Sequence, residues 1–242
     1  MQLQDITPDQ VVYWQYGGIR LNATLVFTWV VMVLLLLLSW WVTRRLSRRT
    51  PLSRWQNLLE ITVQTMRSQI RDISQSAGAD RFLPFVGTLF LFIAVSNLLA
   101  VIPGFTPPTA SLSTSAALAL CVFVAVPLYG IISRGVGGYL KQYIRPTVFM
   151  LPFHVMGELS RTLALAVRLF GNVMSGTKIV AILLAVAPFF FPVLMNALGL
   201  LTGMIQAYIF AVLTMVYIAS STRVQEEKKP TRQTEKGVQN NG

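Results

Sequence analysis

Residues 163–172 read Leu-Ala-Leu-Ala-Val-Arg-Leu-Phe-Gly-Asn and place one arginine, Arg168, inside a strongly apolar stretch. Its guanidinium stays charged at any ordinary pH. A charge at the centre of a bilayer costs roughly 2.5–3.5 kcal/mol on insertion scales, so membrane helices usually carry one where it faces a partner, a water-filled cavity or a moving ion. The stretch therefore predicts a membrane helix with a part in ion transport.

The composition supports a membrane setting. Of 242 residues, 54% are hydrophobic and 12% are charged, whereas soluble domains carry about 25% charged residues. Leu25–Trp41 contains no charge, and its extension to 21–42 is long enough to cross a bilayer. It begins too far into the chain, without a preceding basic segment, for a cleaved signal peptide. The single cysteine, Cys121, supports neither a disulfide framework nor a metal cluster.

The net charge of +11 does not indicate nucleic-acid binding, because the basic residues cluster after apolar spans. That distribution follows the positive-inside rule and predicts an outside N-terminus and a cytoplasmic C-terminus. Contact with anionic lipid headgroups is a secondary interpretation. The basic clusters are Arg44, Arg45, Arg48, Arg49 and Arg54 after the first span, Arg134, Lys141 and Arg145 after the third, and Arg223, Lys228, Lys229, Arg232 and Lys236 after the last.

The fold class predicted is an all-α integral membrane protein with about five membrane helices in a single membrane domain, 1–222. The last two spans are longer than a perpendicular crossing needs, so they must tilt, kink or lie partly along the membrane, and Pro188 lies at the join of a helical hairpin. Leu52–Ser74 mixes apolar and charged residues and is predicted to form a helix that lies at the cytoplasmic interface or leads into span two. The polar tail 223–242 is expected to be disordered. The predicted spans are 21–42, 83–102, 113–133, 152–187 and 189–221.

Span four carries a polar seam. At 100° per residue, six polar side chains share one face over about 30 Å. Arg161 either has a structural role, in which it pairs with Glu158 or extends to the interface, or takes part in ion translocation. His154 is either interfacial or handles protons, and Asn172 either bonds a neighbouring helix or serves ion transport. The seam consists of His154, Glu158, Arg161, Arg168, Asn172 and Ser175.

Span five offers a partner for this seam. Gln206 lies at a depth comparable to that of Arg168 if the two spans form a hairpin, and an amide oxygen can hydrogen-bond a guanidinium without neutralising it. Asn97 in span two is another polar residue in an apolar setting, with structural and functional interpretations equally open.

These residues carry a family resemblance. The block LSRTLALAVRLFGNVMSG, which contains Arg168, and the stretch QAYIFAVLTMVYI, which begins at Gln206, look like subunit a of F-type ATP synthases. FVGTLFLFIAVSNLLAVIP (85–103) and YWQYGG (13–18) also resemble bacterial and plastid members. The resemblance covers most of residues 11–222.

The resemblance implies a stator in the bacterial plasma membrane, beside a rotating ring of c subunits and held by b-type peripheral stalk subunits. The two long tilted helices would pack on the ring, and two aqueous half-channels would open to opposite sides. The arginine matching Arg168 faces the ring's carboxylates and blocks a direct leak, and Gln206 matches the glutamine beside it. Such a subunit needs no cofactor and is not an enzyme, because nucleotide chemistry lies in other subunits.

Two positions depart from the family pattern. Many members carry a carboxylate where this chain has Thr177, and a His or Glu where it has Gly199. The acid and histidine of the outer channel are therefore both absent, a pattern that resembles divergent forms of the enzyme. The transported ion is a proton or sodium.

Two other functions fit the sequence less well. A stand-alone secondary transporter or channel is the alternative, but it favours internal symmetry or interrupted half-helices, which the sequence does not display. An intramembrane enzyme would need a motif such as His-Glu-x-x-His or Gly-x-Ser-x-Gly. His154 and Glu158 alone are too few to hold a metal, which usually takes three or four ligands.

Overall fold

The computed structural model describes residues 12–16, 19–44, 54–74, 79–102, 105–144, 150–186 and 191–222. The predicted polar tail, 223–242, lies outside the described residues. The described elements are a hairpin of strands β1 (Val12–Tyr16) and β2 (Ile19–Asn22), followed by helices α1 (Ala23–Arg44), α2 (Arg54–Ser74), α3 (Leu83–Leu99), α4 (Leu112–Ile144), α5 (Met150–Val186) and α6 (Phe191–Thr222).

The hairpin was not predicted. Its strands are antiparallel, and Tyr16 pairs with Ile19. A sequence signal was present, because β-branched and aromatic residues precede Gly17-Gly18, a dipeptide typical of tight hairpins. Since β2 continues to Asn22, α1 begins at Ala23 rather than at residue 21.

Four helices are long and apolar enough to cross a membrane, and α3 is a shorter apolar helix. Large apolar side chains lie on their outer surfaces; Trp29 and Leu36 of α1, for example, are 62% and 68% exposed. Such surfaces suit lipid rather than water. The chain is a multi-pass membrane protein, and the predicted all-α class is confirmed. The four long candidate spans are Ala23–Trp41, Leu112–Ser133, Pro152–Leu183 and Val193–Thr222.

Helix α2 is amphipathic. Ile70 is 3% exposed and belongs to the common core, whereas Arg67 and Arg71 are exposed and reach the turn before α3. Arg67 donates to both carboxylate oxygens of Asp80 (Nε–Oδ1 2.9 Å, Nη2–Oδ2 2.6 Å), and Arg71 donates to Oδ2 at 3.3 Å. The hydrogen bond from Arg67 is the main cause that holds the pKa of Asp80 well below its usual range. This ion pair fastens α2 to the start of α3.

The core lies where α3, α4, α5 and α6 meet. Helix α6 packs against the other three, and α4 packs against α5. The contact between α5 and α6 is that of the predicted hairpin partners, although the join at Pro188 lies outside the described residues. Side chains that are fully buried in this core include Ile93 of α3, Leu169 of α5, and Phe210 and Ile218 of α6.

Helix α4 is broken at Gly135, which has φ 75° and ψ 159°. Glycine adopts a positive φ readily because it has no Cβ, whereas other residues rarely do. The break separates an apolar part from a shorter part that contains Lys141. The apolar part ends close to the predicted end of span three at residue 133.

Candidate ion-translocation site

Arg168 lies on the exposed side of α5. The exposed side also carries Leu163 and Val167, which are 56% and 60% exposed, while Leu165 and Leu169 face the core and are 1% and 0% exposed. The alternation follows from 3.6 residues per turn, which places apolar residues on both sides of this helix. Within the described part of the chain, Arg168 has no hydrogen bond or ion pair. The structure therefore presents a permanent cation on an apolar outer surface.

The six residues of the polar seam run along the border between this exposed side and the packed side of α5. Asn172 reaches the packed side, where its Nδ2 donates to the backbone oxygen of Thr202 in α6 at 3.3 Å. Ser175 donates to the backbone oxygen of Asn172 at 3.1 Å. The exposed members are His154, Arg161, Arg168 and Ser175, and the half-buried ones are Glu158 and Asn172.

Arg161 lies over an aromatic ring of α6. Its Cζ is 5.5 Å from the centre of the Tyr217 ring, within cation–π range. Glu158, Arg161 and Tyr217 line one small cleft against α4, and we refer to these three as the Tyr217 cluster. The contact with Tyr217 gives Arg161 an interaction between α5 and α6. It adds to the two structural roles that the sequence left open, which are pairing with Glu158 and extension to the interface.

Gln206 is buried on the packed side of α6, with 6% of its surface exposed. Ala207 and Phe210, its neighbours in the helix, are 0% exposed. The Nε2 atom of Gln206 has no hydrogen-bond partner among the described residues. No hydrogen bond joins it to Arg168, although both residues are described. Gln206, the predicted partner of Arg168, therefore carries a buried donor that no described residue satisfies.

A cavity of about 520 Å³ lies between α3, α5 and α6. Its polar lining consists of amides and a hydroxyl, from Asn97, Asn172, Asn196 and Thr177. We call it the amide-lined cavity. Among the described residues that line it there is no acidic, basic or histidine side chain. Water and small cations can be solvated by such oxygen atoms, whereas none of these groups can take up a proton at ordinary pH.

The comparisons with known proteins agree with this architecture. The family model described as ATP synthase A chain matches residues 25–219. This chain belongs to the ATP synthase A chain family. ATP synthase subunit a 2 of Acaryochloris marina (strain MBIC 11017) is 62% identical over 226 residues, which cover 93% of this chain and 96% of the relative.

Two further members of the family show the same extent of similarity. ATP synthase subunit a 1 of Crocosphaera subtropica (strain ATCC 51142 / BH68) is 58% identical over 224 residues, or 93% of this chain and 97% of the relative. ATP synthase subunit a of Albidiferax ferrireducens (strain ATCC BAA-621 / DSM 15236 / T118) is 57% identical over 223 residues, or 92% and 96%. The resemblance stated from the sequence is therefore confirmed.

The two departures from the family pattern lie together in space. Thr177 of α5 and Gly199 of α6 both line the amide-lined cavity. The hydroxyl of Thr177 donates within its own helix, to the backbone oxygens of Val173 and Met174 at 3.2 and 3.0 Å. Where the family resemblance leads us to expect titratable side chains, this chain has a cavity whose described lining is neutral.

Sequence reasoning did not foresee the role of Asn97 and Asn196 in lining one cavity. Both residues are polar within apolar helices, which is a signal that each needs a polar setting. The sequence alone does not reveal that α3 packs against α6. This packing brings the ends of the two helices together. The cavity depends on that non-local contact.

Proposed function

We propose that this chain is the stationary ion-translocating subunit in the membrane sector of a rotary ATP synthase of a bacterial plasma membrane. It works against a ring of c subunits, is held by peripheral stalk subunits, and performs no nucleotide chemistry. The relatives named ATP synthase subunit a support this assignment. The single observation that carries it is Arg168, a cation that has no hydrogen bond or ion pair among the described residues and lies on the exposed apolar side of α5.

A ring of helices that carry carboxylates matches this surface. Exposed Leu163 and Val167 supply apolar contact, and Arg168 supplies the charge that a carboxylate passing through a low-dielectric setting requires. Next to a guanidinium the carboxylate favours its ionised form and releases its ion. Arg168 also repels cations, so it prevents direct flow between the two access paths.

The positions along α5 separate two such paths. The amide-lined cavity begins at Asn172, about 6 Å beyond Arg168 along the helix axis, and we assign it to the outer half-channel. The Tyr217 cluster lies on the other side, with Arg161 about 10 Å before Arg168, and His154 lies further along. We assign these residues to the inner path, in agreement with an outside N-terminus and a cytoplasmic C-terminus.

Gln206 completes the proposed site. Its buried Nε2 lacks an acceptor among the described residues, and a buried donor without a partner is costly. A ring carboxylate or a water molecule from the amide-lined cavity has the acceptor oxygen that this donor requires. Gln206 would therefore help to orient the ion-carrying group beside Arg168.

The decisive experiment replaces Arg168 in the complete ATP synthase. Arg168→Ala is expected to abolish ATP synthesis driven by an imposed ion gradient. Arg168→Lys is expected to be strongly impaired, because lysine lacks the planar fork and can lose its proton when desolvated. Lys178→Ala, which removes another exposed cation of α5, is the matched control and should retain synthesis. Wild-type synthesis by assembled Arg168→Ala complexes would overturn the proposal.

The ion is identified by a second measurement on the same complexes. If a sodium gradient still drives ATP synthesis in the presence of a protonophore, the transported ion is sodium. If the protonophore abolishes ATP synthesis, the transported ion is the proton. The neutral oxygens of the amide-lined cavity can solvate either ion.

A further inference from the structure

A single side chain links α3 to α6 at the wall of the amide-lined cavity. Asn97 is 5% exposed, and its Nδ2 donates to the backbone oxygen of Gly203 at 2.9 Å, across 106 positions of sequence. A Cβ on residue 203 would lie 2.9 Å from Cγ and 3.0 Å from Nδ2 of Asn97. Because such distances are closer than real Cβ contacts, glycine at position 203 is required for this approach.

The chemistry of the contact fixes the orientation of the amide. A backbone oxygen can only accept, so the NH₂ group of Asn97 must face Gly203, and its Oδ1 is left as an acceptor. Within an α-helix the oxygen of Gly203 also accepts from the N–H of Ala207 four residues later. Asn97 therefore uses the second lone pair of a carbonyl that already belongs to the helical turn containing Gln206.

That turn contains the unusual donor. The Nε2 of Gln206 is buried and has no partner among the described residues. Buried polar groups without partners are rare, and they are often found where a functional group is held in readiness. A fixed backbone is one way to keep such a side chain in place, and the bond from Asn97 supplies that constraint from a different helix.

We propose that Asn97 is a positioning residue that, through Gly203, fixes the turn of α6 carrying Gln206 at the inner end of the amide-lined cavity. This inference rests on the proposed function. Loss of a buried hydrogen bond of about 1 kcal/mol corresponds to roughly a fivefold change. We therefore expect about fivefold slower gradient-driven ATP synthesis per assembled complex when the donor is removed.

The test uses the complete ATP synthase, reconstituted into vesicles, with synthesis rates divided by the amount of assembled subunit. Asn97→Leu removes the donor at similar volume and is expected to show the fivefold loss. The matched control is Ser96→Ala, because Ser96 is 0% exposed but bonds within α3, to Phe92 at 2.7 Å. The control should retain the wild-type rate per complex. An unchanged rate for assembled Asn97→Leu overturns the inference.

Asn97→Asp supplies a readout that loss of packing would not produce. An ionised carboxylate cannot donate to Gly203, whereas a protonated one can, so this variant should recover towards the wild-type rate as the pH of both compartments is lowered. Asn97→Leu should show no such recovery relative to wild type. Equal pH profiles for the Asp and Leu variants would contradict the role of the donor.

The double variant separates steric from positioning effects. Gly203→Ala alone should impair assembly because of the clash with Asn97. Combining it with Asn97→Ala removes the Cγ and Nδ2 atoms and leaves only the Cβ of residue 97, at 3.1 Å from the new Cβ. Assembly should therefore return at least in part while the rate per complex stays low; full recovery of the rate would refute positioning. Arg168→Ala is measured in parallel. If it stays active, the proposed function fails; if it is inactive while the Asn97 variants are normal, the positioning role alone fails.

Discussion

Replacing Arg168 by leucine should make α5 easier to insert into a membrane while it abolishes ion-driven ATP synthesis. Most functional side chains are also bonded within their own subunit, so their removal costs stability. Arg168 differs, because it has no hydrogen bond or ion pair within the described residues and lies on an exposed apolar side of its helix. Its removal leaves no partner unsatisfied.

The position of Arg168 in the helix sets the size of the expected gain in insertion free energy. It lies at the midpoint of Met150–Val186, roughly 27 Å from either end at 1.5 Å per residue. In a hydrocarbon core about 30 Å thick, a residue at the middle of the span lies about 15 Å from either interface, so the full cost of a central charge applies. Exchanging arginine for leucine should favour insertion by about 3–4 kcal/mol, the sum of the lost arginine cost and the leucine contribution.

A translocon-based insertion assay on the α5 segment measures this difference directly. Arg161→Leu is the matched comparison, since Arg161 lies about 10 Å nearer the start of the helix, from where its side chain can extend towards the interface. Its gain should be less than half that of Arg168→Leu. Equal or poorer insertion of the Arg168→Leu segment would refute the reasoning, because it would mean that the guanidinium is already satisfied by groups of its own helix.

Three further changes test other parts of the structure. The pKa of Asp80 is lowered by Arg67, so the ion pair stabilises α2 above pH ~4 and this stabilisation is lost as the pH falls through the lowered pKa. Hydrogen exchange of α2 should therefore become faster in acid for the wild type, and Asp80→Asn should abolish that acid-dependent change. Tyr217→Leu should destabilise the purified subunit in denaturant by about 0.5–1 kcal/mol through loss of the Arg161 contact, whereas Tyr217→Phe should not. Thr177→Glu should make ATP synthesis depend on the pH of the outer compartment in a range where wild type does not; identical profiles would remove the amide-lined cavity from the ion path.

Local patterns made the membrane fold and the arginine predictable. Long uncharged stretches such as Leu25–Trp41 cannot be reconciled with a soluble domain of ordinary composition, and they imply helices because backbone groups in lipid must bond within their own segment. The cost of a charge among apolar residues drew attention to Arg168 in the same way. Both signals lie within one or a few helical turns, so a single sequence reveals them.

Non-local contacts were beyond the reach of these patterns. The bond between Asn97 and Gly203 joins residues 106 positions apart, and nothing in the neighbourhood of either residue specifies the other. The break at Gly135 depends likewise on a backbone angle that glycine permits but does not demand. The seam on α5 was predicted as one continuous face, yet its environment is decided by α4 and α6.

The arrangement of that seam bears on the choice between a rotary stator and a stand-alone channel. The amide-lined cavity lies between α3, α5 and α6, and the Tyr217 cluster lies in a cleft against α4. Between them along α5, Arg168 lies on the exposed surface. On the proposed paths, an ion that moves from one region to the other must therefore leave the interior of this subunit, and a fixed positive charge bars the direct route along its outside. A channel working alone would have to conduct across an unprotected surface facing lipid, where a cation has no solvation. A second body that takes up the ion as a neutral group on one side of Arg168, carries it around through the lipid and releases it on the other side would remove this difficulty, which favours the proposed rotary arrangement.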